Sequence, residues 1–127
     1  MSTIKEQIQH AANGRHPLIY LHTPEEDRAI TAITELAPEA YAGGAVYSWD
    51  CINGLDGAAD TGNLVAALER IAADPQPGFY VLKDPSPFMD APEVIRAFRD
   101  AYFRLVQIDT TAIVIVSPIQ IIPAPDR

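Results

Sequence analysis

Apolar and polar residues alternate along this chain with two distinct periods, and the switches between them lay out a series of elements. Ile4, Ile8, Ala11 and Ala12 recur at helical spacing and predict a first helix, with Thr3 and Glu6 at capping-box distance and Asn13-Gly14 as the stop. Pro17-Leu18-Ile19-Tyr20-Leu21-His22 is a continuous apolar run, as expected of a strand buried on both faces. Thr23-Pro24-Glu25-Glu26 follows. It predicts a helix start with Thr23 as cap, Pro24 at the first position and Glu26 reaching back. Ala29, Ile30, Ile33, Leu36 and Ala37 continue that helix, which Pro38 is expected to end.

The same reading gives a second strand at Ala45–Trp49 and a Gly- and Asp-rich loop from Asp50 to Gly62. A third helix follows on Leu64, Val65, Leu68, Ile71 and Ala72, and Asp74–Gly78 closes it. Phe79-Tyr80-Val81-Leu82 is a third strand, with Lys83–Pro87 as its exit loop. A fourth helix starts near Asp90 and Glu93, with Val94, Ile95, Phe98, Tyr102 and Leu105 as its apolar face. Ala112–Val116 is β-branched at nearly every position, which predicts a central strand.

Strands alternating with helices predict an α/β domain with a parallel sheet of about four or five strands, helices on both faces and right-handed crossovers. Residues 1–118 form the expected domain and 119–127 a linker or C-terminal arm. Four apolar runs make a minimal sheet, so the pattern suits either a chain that ends early or a complete small domain.

A length of 127 residues fits one domain with a sizeable core. The net charge of −8 argues against nucleic acid and anionic membranes as partners, because both need a basic patch. Arg96, Arg99 and Arg104 cluster, but their spacing predicts the wet face of a helix. A single cysteine excludes an internal disulfide, and no run has the length of a signal peptide or membrane span. A cytoplasmic chain is expected.

In open parallel sheets, ligands bind beyond the carboxyl ends of the strands. The candidates there are His22 and Thr23, Asp50 and Cys51, Lys83 and Asp84, and Ser117. A P-loop needs glycines whose amides wrap phosphate, a lysine, and a helix N-terminus open to an anion. The connection after the first strand has no Gly and no Lys, and Glu25, Glu26 and Asp27 put negative charge where phosphate would sit. No nucleotide or other cofactor is therefore expected. Lys83-Asp84 has the position of a magnesium-binding acid, yet without a phosphate cradle Asp84 reads as a turn former before Pro85 and Lys83 as solvated or ion-paired. Cys51, between Trp49 and Ile52, reads as a small buried hydrophobe rather than a thiolate partner of His22. His10, His16 and His22 lack a metal-ligand spacing, and no catalytic residue is assigned.

The run from His16 to Ala29 resembles the opening of a family of AAA+ ATPases found as reading frames in plastids, cyanobacteria, other bacteria and phages. The ordered stretches Tyr47-Ser48-Trp49, Val81-Leu82-Lys83-Asp84, Arg96-Ala97-Phe98-Arg99-Asp100 and Val116-Ser117-Pro118 extend the resemblance over roughly residues 1–123. It implies a degenerate RecA-like N-terminal domain whose working Walker motifs lie in a second domain downstream, where this sequence stops. No position here matches the family's catalytic residues. The implied function is a non-catalytic interaction or regulatory domain whose partner is a protein or the ATPase domain of its own parent chain. Two other functions are open to the residues. One is a small-ligand-binding protein or enzyme using His22, Asp50, Lys83 and Asp84. The other is a phosphoacceptor signalling domain built on Asp84, which lacks the lysine it would need beyond Ser117.

Overall fold

A computed structural model describes residues 4–57, 61–108 and 110–117; the expected Thr3 cap and the 119–127 arm lie outside them. Among these residues are four α-helices and five strands, alternating except that the third strand directly follows the second. They are α1 (Ile4–Asn13), β1 (Leu18–His22), α2 (Glu26–Ala40), β2 (Ala45–Asp50), β3 (Gly54–Leu55), α3 (Leu64–Ala73), β4 (Gly78–Lys83), α4 (Pro92–Ile108) and β5 (Thr111–Ser117), with a short 3-10 turn at Ser86–Phe88. The strands form one sheet in the order β1-β5-β4-β2-β3, parallel except for the β2–β3 pair. This is a RecA-like α/β architecture.

Helices cover both faces, which is why the parallel strands read as unbroken apolar runs. On one face α1 and α2 pack on Ile19, Leu21, Phe79, Val81, Val114 and Val116. On the other, α3 and α4 pack on Trp49, Tyr80, Leu82, Ile113 and Ile115. The split follows from the crossovers. The chain passes from β1 to β2 in one direction, then steps back through β4 to β5, so right-handed connections put α2 on one side and α3 and α4 on the other. Where β4 passes β2, Gly78 has φ of +127° and a Cβ there would lie 2.0 Å from the Ala45 carbonyl oxygen. Only glycine fits.

Several expectations need correction. The fifth strand, β3, lies inside the Gly- and Asp-rich loop; two residues are too few to show a period. β5 is an interior strand buried at every position, but the middle of the five is β4. Pro38 sits within α2, which runs on to Ala40. So close to the helix end, its ring costs a single backbone bond, and the Tyr41 amide still donates to Ala37.

Thr23 is not the cap of α2. Its own amide donates to Ser117, which keeps it in the extended line of β1, and its hydroxyl accepts from the Glu25 amide at 3.0 Å. The cap position therefore falls to Glu25, which makes no side-chain cap, and Pro24 precedes the helix rather than opening it. At α4, Ala91 accepts from the amides of Val94 and Ile95, so Asp90 stands one residue too early to cap. The α4 face is rotated as well. Val94, Ala97, Ala101 and Leu105 are buried, whereas Ile95 and Tyr102 are exposed. Small and large side chains share the inward face, with Phe98 half-buried at its border. Cys51 is exposed, not buried, because β2 ends at Asp50 and the turn carries the next residue into solvent.

Candidate functional site

The carboxyl ends of the parallel strands form one edge, and the register orders the candidates along it. His22 pairs with Ser117, Val116 with Lys83, and Leu82 with Trp49, so the row reads His22, Ser117, Lys83, Asp50 from β1 to β2. Thr23 and Asp84 extend it by one residue each, their amides donating to Ser117 and Val116 carbonyls at 2.9 and 2.8 Å.

These side chains do not share one environment. Thr23 and Ser117 are buried, Asp50 and Lys83 are half-buried, and His22 and Asp84 are exposed. Asp50 is engaged by its own turn. One carboxylate oxygen accepts from the amides of Ile52 and Asn53 at 2.9 and 2.7 Å, and the other from Asn53 Nδ2 at 3.0 Å. The Asn53 backbone and side-chain bonds hold this carboxyl below its ordinary range; burial opposes them, and the Ile52 amide and the positive charge of Lys83 add to the lowering. Asp84 has φ of +50°, a left-handed conformation that Asp tolerates, directly before Pro85.

The residues from Pro24 to Arg28 line an open cleft of about 370 Å³ at the start of α2. The peptide amides there present partial positive charge, which Glu25, Glu26 and Asp27 oppose. Arg28 reaches back to Glu25 at 2.9 Å, with both side chains largely exposed. A second cleft of about 340 Å³ lies between Gly62–Val65 and the start of α4, away from the candidate row. Among the described residues, no group of three His, Cys, Asp or Glu side chains could hold a metal ion. No helix among them is long and apolar enough to cross a membrane.

Two residues that the sequence reading passed over shape this end of the sheet. Asn63 caps α3, its side-chain oxygen accepting from the Val65 amide at 2.8 Å. Thr61 is buried beside Trp49: its carbonyl accepts from Trp49 Nε1 at 2.6 Å and its hydroxyl accepts from the Leu55 amide at 2.8 Å. Asn63 could have been found, because Asn immediately before an apolar helical run is a cap signal. Thr61 left no such signal, since its partners are set by folding of the loop.

No curated protein and no solved structure matches the chain. The family model for the SpoVK-like AAA ATPase N-terminal domain matches residues 4–125, nearly the whole length. That match agrees with the α/β architecture and with the strand-end motifs, and the chain belongs to the family of SpoVK-like AAA ATPase N-terminal domains.

Proposed function

We propose that this chain is a non-catalytic interaction and regulatory domain of an AAA ATPase, and that it does not itself bind ATP. The observation that carries the reading is the connection from β1 to α2. It consists of Thr23, Pro24 and Glu25, has neither glycine nor lysine, and delivers the helix start to Glu25, Glu26 and Asp27. A phosphate cradle needs several free amides converging on one point. Here the Glu25 amide is taken by Thr23 Oγ1, and carboxylates occupy the approach. Acids in a first turn stabilise their own helix by about 0.3–1 kcal/mol each and repel a polyphosphate. The fold of a nucleotide-binding domain is thus retained while its phosphate site is degenerate.

The row of strand-end residues supports recognition of a macromolecule over catalysis on a small one. Thr23 is used by its turn and Asp50 by the Ile52–Asn53 loop, and His22 and Asp84 are exposed at the strand ends. The partner is a protein, foremost the ATPase domain of the parent chain, in a cytoplasmic setting. The net charge of −8 disfavours nucleic acid and anionic membranes. Isothermal titration of the chain with magnesium and ATP is expected to give no saturable heat. Micromolar binding would overturn the reading.

A further inference from the structure

α3 and α4 lie side by side on one face of the sheet, with an open furrow between them. A cleft of about 530 Å³ runs along it, walled by Val65, Leu68 and Ala72 of α3 and by Glu93, Arg96 and Asp100 of α4. On each helix these positions recur at three- and four-residue spacing, so each row is a continuous ridge. The cleft of about 340 Å³ at the starts of the same helices shares Val65 and Glu93 with it, and the two form one groove. From Gly62 to Ala73 the groove is about 16 Å long, at about 1.5 Å per residue. Arg104 ends it, where its Nε donates to the Ala72 carbonyl at 3.2 Å.

The groove has an apolar floor and an acidic rim. Leu68 and Ala97 are buried at its base, Val65 and Ala72 are half-buried, and Phe88 stands 40% exposed at the end where α3 starts. Three acids line the larger cleft, Glu69, Glu93 and Asp100, against one base. Arg96 neutralises Asp100 at 3.3 Å, whereas neither Glu69 nor Glu93 forms an ion pair among the described residues. Each wall therefore carries one exposed, uncompensated carboxylate. The walls offer no row of free backbone groups. Amides and carbonyls are spent within the two helices, and the Val65 and Ala66 amides of the first turn donate to Asn63 Oδ1 at 2.8 and 3.4 Å. A strand lying here would find no ladder to join, so a segment that fits must satisfy its own backbone, as a helix does.

We propose that this groove is the docking site for a basic amphipathic helix of a protein partner. About three turns of helix fill its length. The apolar face of that helix lies on Leu68, Ala72 and Ala97, and its Lys or Arg side chains meet Glu69 and Glu93. The inference rests on the reading of the chain as an interaction domain and gives the partner its chemistry. The short side chains of Ala72, Ala73 and Ala97 leave room for an incoming helix between the ridges. The net charge of −8 draws a cationic segment in from a distance.

A fluorescein-labelled synthetic helix with Leu and Ala on one face and Lys on the other tests this. Titrated with the full chain at physiological salt and read by anisotropy, it is expected to show saturable micromolar binding. The same helix with Glu in place of Lys should bind several-fold more weakly. Glu69→Lys with Glu93→Lys, and separately Ala73→Trp, should each weaken binding of the Lys helix several-fold. All three positions are exposed, so the core is left intact. The control is Glu26→Lys with Glu35→Lys, which makes the same change in net charge on α2, across the sheet, and should leave binding unchanged. Equal weakening by the control would reduce the binding to bulk charge and overturn the proposal. So would the absence of saturable binding, or equal affinity for the Glu helix. ATP titration of the same sample keeps the two readings apart. No peptide binding and no heat from ATP removes the groove alone, whereas saturable heat from ATP removes the interaction-domain reading and the groove with it.

Discussion

The two edges of the sheet solve the same problem in opposite ways. A strand at an edge exposes a row of backbone groups and the flank of an apolar face, both of which invite pairing. At one edge, β2 is closed by its own loop. β3 folds back antiparallel, Asp56 exchanges bonds with Ser48 through its amide and carboxylate, and Thr61 holds Trp49 on one side and Leu55 on the other. The indole is 1% exposed and meets Phe88 edge to face at 6.3 Å. At the other edge, β1 is paired with β5 alone among the described strands, and Tyr20 stands on a half-covered face. The closed edge is built from local sequence within the Asp50–Gly62 loop. Among the described residues, no neighbouring segment closes the β1 edge. Stability is therefore expected to depend more on the first edge than on the second.

The largest test of this contrast is Trp49→Ala. Removing a fully buried indole and the bond to Thr61 is expected to cost about 3–5 kcal/mol, measured as a drop in the denaturant midpoint. A cost below about 1 kcal/mol would mean that the loop edge is peripheral to the core. Thr61→Val comes next. It keeps the shape but leaves the Leu55 amide without its acceptor, for an expected loss of about 1–3 kcal/mol. Hydrogen exchange should show that loss as faster exchange at Leu55 and Asp56. The smallest effect is expected at the open edge. Tyr20→Lys should change unfolding stability by about 1 kcal/mol or less, because more than a third of this side chain is already in water. An effect comparable to that of Trp49→Ala would erase the distinction between the edges.

The contrast also marks where sequence reading worked. The long parallel strands and all four helices were legible, because continuous apolar runs and helical stripes survive any detail of packing. The α2 start was legible as a place but not as a geometry: the Thr-Pro-Glu-Glu pattern fits a cap, yet the bond from the Thr23 amide to Ser117 holds the residue in the strand line. The candidate row was legible as a set of strand ends. Its chemistry was not, since the engagement of Asp50 by Ile52 and Asn53 depends on how the following turn closes. For α4, hydrophobicity alone favoured Ile95 and Tyr102 as core. The fold buries Ala97 and Ala101 instead, and which face a helix turns inward is settled only when the layers assemble.

By itself, then, the sequence determined the alternation of elements, the two-sided burial of the parallel strands, the acidic balance and the lack of glycine and lysine after β1. These depend on residue type and spacing, which are local. Tertiary structure alone decided the strand order, the closure of the β2 edge by Thr61, the face that α4 turns to the sheet and the partial exposure of Tyr20 on β1. Each of these requires residues far apart in the chain to compete for the same space, and only the folded layers resolve that competition.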